Sequence, residues 1–148
     1  MKSNFKQVKL DIKSEQRENS RLCEDFNEIN HSADGKHCRR TGKDYLIYEE
    51  KNLEGMEDSV TNLRVEENKV VMKRNGKVTT RMEFVLNEET EMRYRCPEGI
   101  MSMNIFTENI EHIREENGDL KKVDVKYVLK FGDGYRTYNR ISIEIDYK

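Results

Sequence analysis

Two pairs of adjacent carboxylates, Glu49-Glu50 and Glu88-Glu89, together with three histidines and three cysteines, are the residues whose types lend themselves to chemistry. Paired carboxylates do acid–base work only when both reach one site, and adjacent strand residues point to opposite faces, so neither pair forms a dyad by itself. Tyr48 shares a face with Glu50, while Tyr45 and Ile47 share one with Glu49, so one glutamate of the first pair faces inward. Periodicity leaves the choice open, and Glu49 is carried as the interior candidate. A buried carboxylate is costly without a cation, and Arg74, Arg81, Arg93 and Arg95 are the available partners. Such a pair would act as a structural ion pair at one end of the core or would orient a ligand there.

His31 and Cys38 stand opposite each other if Asp34-Gly35 forms a two-residue hairpin turn, with His37 and Ser32 on the other face. Two soft ligands fall short of either a structural or a catalytic zinc site, and no spacing ties Cys23 or His112 to that hairpin. We expect a cross-strand pair, no metal and no other cofactor. Arg93-Tyr94-Arg95 alternates basic and aromatic residues, as strands that meet single-stranded nucleic acid do. Glu83, Glu91 and Glu98 accompany it, however, and 27 basic against 29 acidic side chains leave a net charge of −2. That balance points to a solvated charged face and to no nucleic-acid partner. The chain has no G-x-S-x-G, P-loop, dinucleotide fingerprint or H-E-x-x-H, and the expectation is a protein that is not an enzyme.

The elements that position these residues read as strands. Apolar side chains recur with period two at Val8, Leu10 and Ile12, from Val123 through Val125, Tyr127 and Leu129 to Phe131, and at Ile141, Ile143 and Ile145. Turn signals separate the runs at Asp34-Gly35, Asn75-Gly76, Pro97-Glu98-Gly99, Asn117-Gly118 and Gly132-Asp133-Gly134. The pattern predicts an all-β fold of antiparallel hairpins, a barrel or a sandwich, in one domain spanning residues 1–148.

The turns fix registers that can be checked. A two-residue Asn117-Gly118 loop pairs Ile110 with Val125 and His112 with Val123. A three-residue loop at Gly132-Asp133-Gly134 pairs Leu129 with Thr137, Tyr127 with Asn139, Val125 with Ile141 and Val123 with Ile143, which agrees on the inward face. Around Pro97, Tyr94 pairs with Met101 and Met92 with Met103. At Asn75-Gly76 a bulged loop that includes Lys77 sets Val70 against Met82 and Met72 against Thr80. The inward face of the last three strands then carries His112, Tyr127, Tyr135, Thr137 and Asn139. Met72, Met82, Met92, Met101 and Met103 fall largely on apolar faces, where they serve as adaptable core filler.

With 34% hydrophobic and 38% charged residues, the near-cancellation of charge argues for a folded domain with a charged exterior. The N-terminal residues lack the apolar run of a signal peptide and no stretch is apolar enough to span a membrane, so a cytoplasmic protein without a membrane partner is expected. Cys23, Cys38 and Cys96 are odd in number and widely spaced, as reduced thiols are.

A further pattern consists of Tyr48-Glu49-Glu50, Gly55, Leu63, Val70, Arg74-Asn75-Gly76, Met82-Glu83-Phe84, Tyr94, Pro97, Gly99, Met103 and Thr107, continuing to Tyr127 and Asn139. In these residues the chain resembles the bacterial domain-of-unknown-function family of YwiB-like proteins (DUF1934). The resemblance implies a calycin or lipocalin-like barrel, antiparallel and up-and-down with about eight to ten strands, and carries no biochemical activity. Barrel and inward polar groups together lead us to expect non-catalytic binding of a small apolar or amphipathic molecule in the interior, by a monomer or homodimer. The interior candidates are Tyr94, Met103, His112, Tyr127, Thr137, Asn139 and Glu49. The alternative is an interaction or self-assembly module that uses exposed barrel strands.

Overall fold

The computed structural model describes residues 5–18, 26–50, 59–76, 79–132 and 134–148. Cys23, Gly55, Lys77 and Asp133, which enter the sequence reading, lie outside the described residues. Ten strands follow one another: β1 (Lys6–Glu18), β2 (Phe26–Arg40), β3 (Lys43–Glu50), β4 (Ser59–Val65), β5 (Lys69–Asn75), β6 (Thr79–Val85), β7 (Glu89–Cys96), β8 (Gly99–Arg114), β9 (Leu120–Lys130) and β10 (Arg136–Tyr147). Each pairs antiparallel with its neighbours in sequence, and β1 closes the ring by pairing with β10. The fold is an all-β, antiparallel closed barrel, as the alternating pattern and the resemblance together lead one to expect.

Alternation explains the core. Val8, Leu10 and Ile12 of β1, Leu46 and Tyr48 of β3, Val123, Val125 and Tyr127 of β9, and Ile143 and Ile145 of β10 all point inward and are buried. Lys9 and Lys13 of β1, Lys126 of β9 and Glu144 and Asp146 of β10, at intervening positions, are exposed, so a chain this polar still encloses a continuous apolar core. Among the described residues no helix is long and apolar enough to cross a membrane.

Three of the expected registers are present. Ile110 faces Val125 and His112 faces Val123. Leu129, Tyr127, Val125 and Val123 face Thr137, Asn139, Ile141 and Ile143, and Met92 and Tyr94 face Met103 and Met101. The turn after β8 is longer than a two-residue loop. A bulge between Ile113 and Arg114 absorbs the difference, and the Gly118 N–H donates to the Glu115 carbonyl.

Two expected turns are corrected. Beyond Asn75, Val70 faces Phe84 and Met72 faces Met82, two residues further on than the bulged loop predicts. The shift is even, so every side chain keeps its face. Asp34-Gly35 is no turn at all, because β2 runs straight through it, with Asp34 opposite Lys9 and Gly35 between Val8 and Tyr48. The hairpin lies instead at Thr41-Gly42, whose φ angles of 48° and 77° suit a tight two-residue turn between Arg40 and Lys43. Gly35 is glycine for want of room: a Cβ there would lie 2.6 Å from the Ile47 carbonyl oxygen and 3.0 Å from the Tyr48 Cβ.

Candidate functional site

The inward face of β3 carries Asp44, Leu46, Tyr48 and Glu50, all buried, so an acid stands at each end of an apolar stretch. The two acids are treated differently by their surroundings.

At the Asp44 end every polar contact closes. His37 Nε2 donates to Asp44 Oδ1 at 2.8 Å, and the Arg114 guanidinium donates to Oδ2 at 2.6 Å. The Tyr147 hydroxyl donates to the Leu120 carbonyl at 2.8 Å and lies 3.4 Å from His37 Nδ1. Burial alone would raise the Asp44 carboxyl, but the hydrogen bonds from His37 and Arg114 outweigh it and hold the group at about 2. Burial, reinforced by Asp119 and Asp44, keeps the Tyr147 phenol protonated far above its ordinary range. This end is a satisfied polar plug.

At the other end the barrel holds a cavity of about 530 Å³, within the range of small-molecule sites. It lies where β1 and β9 end and β2 and β10 begin, and Ile12, Ile29, Met72, Met82, Tyr127 and Ile141 supply apolar wall. His31 of β2 and Arg74 of β5 line it, and Arg74 reaches back to Glu50 of β3, which is buried outside the lining beside Thr61 of β4. Glu50 is 1% exposed. Its Oε1 accepts from the Thr61 hydroxyl at 2.8 Å and from the Arg74 guanidinium at 3.1 Å. His31 Nε2 stands 3.7 Å from Oε2, within Coulombic range but too far for a hydrogen bond. Glu50 Oε2, Arg74 Nε and both His31 ring nitrogens are therefore buried without a protein partner. Four such atoms in one cluster are unusual, since buried polar groups are nearly always paired with protein, water or ligand.

Electrostatics keeps this cluster neutral overall. Burial pushes the His31 ring below its ordinary value, against the pull of Glu50 and with the help of Arg74, so imidazole rather than imidazolium prevails at neutral pH. Burial, with Glu50 nearby, holds the Tyr48 phenol well above its ordinary range, and burial pushes Tyr127 up to about 12. Neither phenol supplies a base. Among the described residues no three His, Cys, Asp or Glu side chains group closely enough to hold a metal ion.

Of the residues expected inside, Tyr127 and Asn139 line the cavity. Thr137 is buried beside them and accepts the Asn139 amide at 3.0 Å. Tyr94 and Met103 are half-buried against the core without lining the cavity. His112 is on the inner face of β8 but half-buried and nearer the Asp44 end, two residues from Arg114. Tyr135 is corrected: it is 42% exposed in the turn before β10, its ring 5.4 Å from that of Phe131. Glu49 is corrected too, since it is exposed on the outer face and Glu50 is the glutamate inside. Arg74 is the partner from among the four arginines weighed.

His31 and Cys38 are not opposed across a hairpin. They lie on the same strand, His31 facing in and Cys38 facing out beside Tyr45. Sequence reasoning missed His31 as a member of the site because it folded β2 back at Asp34-Gly35. The signal that finds it is Thr41-Gly42, for a hairpin there sets Gly35 against Tyr48 and lets β2 run on to bring His31 to the same end of the barrel as Glu50.

The family described as Domain of unknown function (DUF1934) matches residues 10–143. Among solved structures, the ywiB protein from Bacillus subtilis is similar, at 22% identity over 95% of this chain and 92% of that one, with a TM-score of 0.67. That is a likeness of fold. No curated protein matches the chain.

Proposed function

This chain belongs to the DUF1934 family, and we propose that its barrel binds a small amphipathic molecule, without catalysis, in the manner of a lipocalin-like carrier. The observation that carries this reading is the cavity of about 530 Å³, lined by apolar side chains together with His31, Arg74 and Asn139. An apolar wall and a few convergent polar groups suit a ligand with a polar head and a short apolar tail. The buried methionines Met72 and Met82 add a wall that adapts to tail shape. A cytoplasmic setting accords with the buried free thiol of Cys38. Assembly through an open strand edge has little support, because the described strands close into a ring.

Native mass spectrometry of the full chain, paired with amide NMR titration by short-chain amphiphiles, tests the proposal. A non-covalent adduct or saturable shifts at His31, Arg74 and Tyr127 are expected, and both should vanish when Ile141→Trp fills the cavity. Absence of any adduct and of any shift for the wild type would reject it.

A further inference from the structure

From a second surface, on the outside of the barrel, we infer that β2–β6 dock an acidic peptide segment of a partner protein. The outward side chains of these strands fall into rows set by the register. One row runs Cys38, Tyr45, Arg64, Val71 and Glu83, and the next runs Lys36, Ile47, Asn62, Lys73 and Arg81. Cys38 and Val71 face outward yet are only 4% and 6% exposed, so the surface dips there into a groove of about 440 Å³. Tyr45, Ile47 and Phe5 complete its apolar lining.

Charge says what the groove accepts. Its charged lining is Arg40, Arg64, Lys73 and Arg81, all cations, on a chain whose net charge is −2. Two are compensated from outside the lining: Arg64 donates to Glu66 at 3.1 Å and Arg81 to Glu83 at 2.9 Å. Arg40 and Lys73 are exposed and, among the described residues, meet no acid. They stand at opposite corners of the groove, on β2 and β5 and two rows apart, a separation of about 15–20 Å at ordinary strand spacing. A short amphiphile with one charged head reaches one of them. An extended peptide of about six residues, with carboxylates flanking an apolar side chain, spans both. The apolar side chain would anchor in the groove while the carboxylates set orientation. Single-stranded nucleic acid would need successive aromatic platforms, whereas the aromatic lining is Tyr45 and Phe5, set among aliphatic groups.

The test is an NMR titration of the full chain with the end-blocked peptide Glu-Glu-Leu-Phe-Glu-Glu, its counterpart with glutamine for every glutamate, and an oligothymidylate. The acidic peptide is expected to shift the amides of Tyr45, Ile47, Val71 and Lys73 while leaving those of His31 and Tyr127 in the cavity unmoved. It should bind at least about tenfold more tightly than the glutamine peptide. Arg40→Glu combined with Lys73→Glu, both at exposed positions, should weaken it by a similar factor, and raised salt should weaken it too. The comparison of the two peptides decides by itself if that variant folds poorly. No shift with the acidic peptide, shifts confined to other faces, or equal binding of the glutamine peptide overturns the inference and leaves the cavity reading in place. Tighter binding of the oligothymidylate assigns the face to nucleic acid and overturns the choice of a peptide.

Discussion

Replacing Gly35 with alanine should destabilise the barrel and loosen the binding end, and the size of the effect follows from where its methyl group would go. The added Cβ would lie 2.6 Å from the Ile47 carbonyl oxygen, 3.0 Å from the Tyr48 Cβ and 3.4 Å from the Leu10 Cδ1. The first of these is backbone of β3, held by its pairing with β2, so relief requires the two strands to part. Alanine has no backbone penalty to meet here, since the φ of Gly35 is not among the positive values, and its lower unfolded-state entropy favours the variant by about 0.5–1 kcal/mol. Overpacking against a backbone group sits at or beyond the upper end of the usual range of about 1–3 kcal/mol. The net loss should be about 2–3 kcal/mol, or roughly 4–12 °C in Tm for a domain of this length. Thermal and urea unfolding followed by far-UV circular dichroism measure it, the chain having no tryptophan. The same displacement acts on Tyr48, which lines the cavity, and short-chain amphiphiles should bind more weakly. Asparagine at this position should be worse than alanine, because space and not φ is limiting. An unchanged Tm for Gly35→Ala, or Gly35→Asn tolerated better than Gly35→Ala, would refute the packing explanation.

Other outcomes follow from the two polar ends. Asp44 has a folded value of about 2 against an ordinary 3.8, a depressed carboxyl, so its contribution of roughly 2.5 kcal/mol is present above about pH 4 and lost as pH falls toward 2. Urea unfolding of wild type and Asp44→Asn across that window should show the difference between them shrinking with acid; a constant difference would contradict it. Arg74→Met leaves the Glu50 carboxylate buried without its cation and should cost about 3 kcal/mol in urea unfolding. The double variant Arg74→Met, Glu50→Leu should recover most of that loss, and failure to recover would show that Arg74 acts through its packing. Cys38, 4% exposed, should resist alkylation in the native state and react in urea, as peptide mass spectrometry can follow.

Strand content and the registers of the later hairpins were legible because they rest on local signals that agree with one another. Alternation in β1, β9 and β10 names the inner face, and the turns at Pro97, Asn117-Gly118 and Gly132-Asp133-Gly134 lock it to the correct partners. Tyr127 and Asn139 reached the site by that route. His31 and Glu50 did not, for two different reasons. Asp34-Gly35 has the composition of a turn, and nothing near it in sequence reveals that Tyr48 and Leu10 need the space a side chain would fill. On β3 both faces are apolar, since Tyr45 and Ile47 of the outer face line a surface groove with Phe5, Cys38 and Val71. Alternation there cannot tell inside from outside.

By itself, then, the sequence determined an antiparallel β fold with a charged exterior and the inner faces of its final hairpins, because period-two burial and turn chemistry are properties of neighbouring residues. Only the tertiary structure decided which glutamate is buried, that Arg74 is its partner, and that His31 joins them at an end where polar atoms outnumber their protein partners. Those facts depend on strands β2, β3 and β5, whose relative placement is set by ring closure and by close packing at Gly35, not by any signal within the strands themselves.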